Sequence, residues 1–315
     1  MGVFLISTLL FACLSDDKTA PNDTIDPNED TDDTPPITED TSEPIEDDTG
    51  EEDTGPIEDT ATNSAYRITQ SISYNGVEVD VIIDKPEGDS FDTLVVYHGT
   101  VWYDDQVLAS AETTLDKFIE ILDRTDMMVI SVAYPEENLL MGENIIFAEA
   151  ALLWVQNQAA TDLGIDINRV FLGGHSQGGY IVTRLNTLHP TDGVVANCPG
   201  PLDMHYRCEL EENNAIEPSN QCQQLYQTFG STSDNPDAYH ERSLINFTSG
   251  HSSPLLVIQG MQDAAVQLAN WPLFKQRLNE CTDCAEIQTF ESPQAGHPAL
   301  FVSPPAMEVF NQFVQ

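Results

Sequence analysis

Basic side chains are scarce. Eleven Lys and Arg stand against 53 Asp and Glu, a formal net charge of −42 over 315 residues. So few cations cannot neutralise a phosphate backbone, which argues against nucleic acid and anionic surfaces as partners. Long apolar runs are lacking too. The apolar stretch Met1–Ala12 is too short for a bilayer, which needs about 20 such residues, and matches the apolar core of a secretory signal. The acidic residues show no regular Asp-x-Asp-x-Asp-Gly repeat, which argues against calcium loops. Cysteine offers only one Cys-x-x-Cys, at Cys281 and Cys284, with no second pair and no clear His partner, so zinc is a poor fit.

Apolar side chains are almost absent from residues 16–60. That segment holds 19 of the 53 acids, one base (Lys18) and many Thr and Pro. It cannot bury enough surface to offset its ordering entropy, so residues 14–64 are expected to form a disordered tether. A flexible chain of about 50 residues reaches on the order of 40 Å. Beyond it 34 acids face 10 bases, so the remainder is still strongly negative.

Residues 65–315 are enough for one large α/β domain. Strand-like runs are expected at Tyr66–Ile72, Val77–Asp84, Leu94–Tyr97 and Met127–Ala133. Helical patterns are expected at Val107–Arg124 and Asn144–Gln158. The first two strands, joined through Ser73–Gly76, look like an antiparallel edge hairpin. Alternating strands and helices otherwise imply a mostly parallel sheet covered on both faces.

The strongest signal is Val170-Phe171-Leu172-Gly173-Gly174-His175-Ser176-Gln177-Gly178-Gly179-Tyr180. A buried strand runs into Gly-x-Ser-x-Gly and a helix follows, the context of a nucleophile elbow. The small flanking residues allow strand and helix backbones to approach, leaving the serine exposed on a strained turn. An elbow requires an acid and then a histidine later in the chain. Asp263 lies three residues beyond the apolar run Ser253–Gly260. His297 follows the last expected strand, Cys284–Phe290, and precedes a closing helix from about Pro305 to Gln315. Taken singly, Asp263 reads as a solvated or capping aspartate and His297 as a loop histidine. Their order, each just past a strand, joins them to Ser176. A neutral imidazole takes the serine proton, and the carboxylate fixes the tautomer and stabilises the imidazolium.

On these motifs the chain resembles the α/β-hydrolase superfamily over residues 65–315, nearest to esterase, dienelactone-hydrolase and prolyl-oligopeptidase catalytic domains. The resemblance implies an oxyanion site from the Gln177 amide and the loop Tyr97-His98-Gly99-Thr100, with Gly99 admitting the substrate and the Thr100 amide donating. That loop lacks the glycine run of HGGG-type lipases. Asp203, after the expected strand Gly193–Asn197, is a rival acid, because some hydrolases take theirs one strand earlier. The polar segment 200–252 falls where this superfamily often inserts a cap. Trp102 and Tyr103 would line an aromatic or acyl pocket, or pack against that cap.

The first 13 residues resemble a bacterial lipoprotein signal, with Leu10 and Ala12 before a Cys13 that would be acylated. The resemblance departs at the bulky Phe11 and in lacking a basic residue ahead of the run. In an exported chain the spacings favour disulfides Cys208–Cys222 and Cys281–Cys284, leaving Cys198 free. The expectation is a serine hydrolase of small-molecule carboxylic esters. It would need no metal or cofactor, act as a monomer and touch a membrane only through its lipid, in the cell envelope or secreted. A serine peptidase of prolyl-oligopeptidase type and a non-catalytic surface binding protein are the alternatives.

Overall fold

A computed structural model describes residues 63–315. The signal-like segment, Cys13 and all but the last two residues of the tether lie outside the described residues.

The domain opens with a hairpin. β1 (Tyr66–Tyr74) and β2 (Val77–Lys85) pair antiparallel along their whole length. The turn is Asn75-Gly76, with φ of 51° and 81°. Two successive positive φ values suit the twist of the flanking strands, and Asn and Gly adopt them most readily. β3 (Ser90–Tyr97), β4 (Met127–Ala133), β5 (Asp166–His175), β6 (Gly193–Asn197), β7 (Leu255–Gly260) and β8 (Ile287–Ser292) complete one sheet. Its order is β1-β2-β4-β3-β5-β6-β7-β8, antiparallel where β2 meets β1 and β4, parallel elsewhere.

Ten α-helices occur among the described residues: α1 (Val107–Ile121), α2 (Ile145–Asn157), α3 (Ala159–Leu163), α4 (Gln177–Asn186), α5 (Met204–Glu212), α6 (Asn220–Phe229), α7 (Pro236–His240), α8 (Ala265–Asn279), α9 (Ala299–Val302) and α10 (Pro304–Phe313). Side chains alternate across a strand, so an unbroken apolar run feeds two cores at once. In β3, Leu94 and Val96 join Leu115 and Phe118 of α1 and Phe310 of α10. Val95 and Tyr97, the residues between and after them, join Leu152 and Trp154 of α2, Tyr180 of α4 and Trp271 of α8. β4 and β7 divide in the same way. The fold is thus the α/β-hydrolase fold that the sequence implies.

Several boundaries differ from expectation. β5 begins at Asp166, upstream of the apolar run. β8 starts at Ile287, since the Cys281–Cys284 loop occupies the preceding residues. α1 stops at Ile121, and Arg124 instead pairs with Asp92 and Asp126. The closing helix is α10, preceded by the short α9, with Pro304 and Pro305 in the first-turn positions that need no amide donor.

Between β6 and β7 the chain makes α5, α6 and α7. The disulfide Cys208–Cys222 ties α5 to α6, and Met204, Leu225 and Tyr239 join the larger core. Cys281 and Cys284 form the second disulfide, while Cys198 is free and buried. Among the described residues no helix is long and apolar enough to cross a membrane.

Candidate active site

β3 and β5 are neighbours whose next strands lie on opposite sides, so their carboxyl ends open a crevice. The expected elbow and oxyanion loop both emerge there. Ser176 stands between β5 and α4 with φ 58° and ψ −118°. That left-handed backbone costs a non-glycine residue on the order of 1–3 kcal/mol. The neighbouring strand β6, the helix α4 and the loop after β6 hold it in place. The Ser176 amide donates to the Asn197 carbonyl at 3.0 Å, and its carbonyl accepts from the Tyr180 and Gly200 amides at 3.0 and 3.1 Å. The flanking glycines are obligatory. A Cβ on Gly174 would lie 2.1 Å from the Gly178 carbonyl oxygen, and one on Gly178 would lie 2.0 Å from that of Tyr97. The serine hydroxyl has no hydrogen-bond partner among the described residues.

Asp263 follows β7 and His297 follows β8. His297 Nδ1 and Asp263 Oδ2 are 2.8 Å apart, with Asp263 almost fully buried and the imidazole partly open. The carboxylate also accepts from Gln259 Nε2 at 3.2 Å and from the Ala264 amide at 2.7 Å. Burial opposes its charge. The bond from His297 and these further donors prevail, and the carboxyl titrates below its ordinary range. With Nδ1–H given to Asp263, Nε2 is the imidazole's basic nitrogen. The two loops touch main chain to main chain: a Cβ on Gly260 would lie 1.9 Å from the Gly296 carbonyl oxygen, and the Gln262 amide donates to the Ala295 carbonyl at 2.9 Å.

Ser176, Asp263 and His297 line one cavity of about 760 Å³, together with Thr100, Trp102 and residues 217–221 of the insertion. Gly99 lies against the serine, its would-be Cβ 3.4 Å from Ser176 Cβ. The Thr100 hydroxyl donates to Gln177 Oε1 at 2.7 Å, and Gln221 Nε2 approaches the same oxygen at 3.4 Å. Oxyanion loop, elbow and insertion are therefore bridged by one side chain. The Thr100 and Gln177 amides have no acceptor among the described residues, which leaves both free to donate.

Other residues take different places. Asp203 caps α5, accepting from the Tyr206 amide at 3.0 Å, and makes no bond to His297. His98 turns inward and stacks on Tyr134 at 3.9 Å between centroids. Trp102 lines the cavity while 45% exposed, and Tyr103 points to solvent beyond it. Sequence reasoning missed His175, whose ring lies 4.8 Å from that of His297. Its Nδ1 accepts from Asn197 Nδ2 at 3.0 Å, and burial, together with the neighbouring His297, pushes it down to about 4. It packs as a neutral ring against the His297 imidazole. Its place beside the serine in the elbow was the available signal.

The family model described as alpha/beta hydrolase fold matches residues 94–291. The chain belongs to the α/β-hydrolase family. Solved structures similar in fold to this α/β hydrolase include a thermostable esterase from Pseudomonas putida. It is 14% identical with a TM-score of 0.57, covering 81% of this chain and 82% of that one. A bacterial brefeldin A esterase is 20% identical with a TM-score of 0.56, covering 81% and 77%. An acylaminoacyl peptidase from Pyrococcus horikoshii is 15% identical with a TM-score of 0.56; the match covers 79% of this chain and 41% of that one. Among curated proteins none matches the chain.

The buried imidazoles of this α/β hydrolase set its acid stability. Burial pushes His98, His175 and His251 down to about 4, from 6.5 in an exposed chain. Between those values the unfolded chain binds protons that the folded one refuses, so stability falls as pH falls through that window. Each contributes on the order of 3 kcal/mol. Glu136, raised to about 8 by burial, acts in the opposite sense, one group against three. Urea midpoints should drop from neutral pH to about pH 5, and less so in His251→Phe. A flat profile would refute the account.

Proposed function

We propose that the protein is a serine hydrolase cleaving carboxylic esters through an acyl-enzyme on Ser176. The observation that carries this is the hydrogen-bonded Asp263–His297 pair in the same cavity as a serine on a strained elbow. Ser176 Oγ attacks the carbonyl carbon while its proton passes to His297 Nε2. The Thr100 and Gln177 amides hold the tetrahedral oxyanion. His297 returns the proton to the alcohol oxygen as the C–O bond breaks. Water then repeats the sequence, giving its proton to His297 and releasing the acid and Ser176. Asp263, held ionised, stabilises the imidazolium in both halves. The cavity's size suits a small-molecule ester.

A fluorophosphonate probe should label Ser176 alone. A panel of nitrophenyl esters, aryl esters and peptide amides should show ester turnover exceeding amide turnover. Preference for amides would favour the peptidase reading, and silence on both the binding-protein reading.

The two disulfides support export, since such bonds persist in oxidising compartments. In this reading Cys13 carries the lipid and the acidic segment is the tether. Full-length protein made in cells should partition into detergent, and Cys13→Ser should not. A chain starting at Asn63 keeps the carbonyls that bond the Gly88 amide and Lys85 Nζ, at 3.0 Å each. Its melting temperature and soluble-ester activity should match those of the full chain; a lower melting temperature would make the tail structural.

A further inference from the structure

Beside the catalytic cavity lies a smaller one of about 50 Å³. The two share Thr100, Trp102, Asn220 and Gln221, so the smaller adjoins the oxyanion loop. Glu136 and Asn144 line it. Glu136 Oε2 accepts from the Val101 amide at 3.0 Å, whereas Oε1 is buried with no partner. Asn144 stands at the N-cap position of α2, where its side chain would normally bond a helix amide. It makes no such bond. The residue is 2% exposed, and its Oδ1 is buried and unpartnered. The nearby Thr100 hydroxyl is already committed to Gln177. No Lys, Arg or His lines this cavity. Without a counter-charge, burial pushes Glu136 up to about 8, and Asp104 adds to the effect.

Buried polar atoms left unpaired are costly, and an ionised carboxylate most of all, so without a ligand Glu136 keeps its proton near neutral pH. We propose that this cavity is a subsite for a primary ammonium group carried by the substrate. The inference rests on the ester-hydrolase reading above and narrows its substrate class. An ammonium brings three donors and a positive charge. Glu136 Oε1 and Asn144 Oδ1 accept two of those donors, and the charge fixes Glu136 in its ionised form. A hydroxyl supplies one donor and no charge, and a methyl supplies neither. The strongly negative chain raises the local concentration of cationic substrates.

The test pairs esters that differ only at the terminal group. Nitrophenyl ε-aminocaproate is compared with nitrophenyl heptanoate, and aminopentyl acetate with hexyl acetate. In at least one pair the ammonium ester should show the higher kcat/KM by about tenfold or more. Glu136→Gln should lower that ester far more than its neutral partner, and Asn144→Ala should do so in the same direction. Equal rates within both pairs would overturn the subsite while leaving the esterase reading intact. Equal loss on both esters in Glu136→Gln would reduce Glu136 to a clamp on the Val101 amide. If no ester is cleaved the esterase reading fails. The subsite then stands or falls on pentylammonium binding by calorimetry, which Glu136→Gln should weaken about tenfold.

Discussion

Ser176→Ala should lower kcat for ester hydrolysis on the order of 10⁶-fold with KM little changed. The substitution removes the attacking oxygen and nothing else. Alanine meets the same backbone strain at φ 58° that serine does. The amide bonds to Asn197, Tyr180 and Gly200 all use main-chain atoms, so they survive. The variant should therefore keep its circular dichroism and melting temperature. A residual rate above the uncatalysed one is expected, because the oxyanion amides still act. Turnover in Ser176→Ala well above that residual rate, or persisting fluorophosphonate labelling, would place the nucleophile elsewhere.

Asp263→Asn should cost about 10⁴-fold in kcat. An amide in place of the carboxylate presents an N–H to His297 Nδ1 across 2.8 Å. The imidazole then carries its proton on Nε2, where it cannot take the serine's. Two compensating donors, Gln259 Nε2 and the Ala264 amide, would also lose an anionic acceptor. Asp203→Asn is the control. Asn caps a helix about as well as Asp, so the bond from the Tyr206 amide is replaced and activity should stay near wild type. Comparative steady-state kinetics on one nitrophenyl ester decides between them, and the opposite ranking would move the acid to Asp203.

The legible parts of the site were those encoded locally. Gly174 and Gly178 are read from sequence because the elbow's backbones meet within a few residues of the serine or on the strand beside it. Asp263 and His297 were legible through chain order, since each immediately follows a strand. The alternating cores were implicit in runs such as Leu94–Tyr97, whose neighbours on both faces must be apolar. What escaped depends on contacts between distant segments. Nothing near Gln177 announces that its side chain joins Thr100 to Gln221, 77 and 44 residues away. Nothing in the sequence singles out Glu136; the structure brings the Val101 amide to it. Asn144 falls at the start of an expected helix, and only the structure shows that its side chain leaves the helix amides uncapped and its Oδ1 unpartnered. β8 was misplaced because a disulfide displaced the strand start, a constraint that hydrophobic alternation does not carry.

The backbone contact between Gly260 and Gly296 makes Asp263 and His297 passengers of a single frame. With two turns locked carbonyl against Cα, and the Gln262 and Met261 amides donating across to residues 295 and 292, the loop after β7 cannot shift without carrying the loop after β8. The spacing between Asp263 and His297 is thus set by main-chain contacts between their own two loops, distinct from the main-chain bonds to Asn197, Tyr180 and Gly200 that hold the serine.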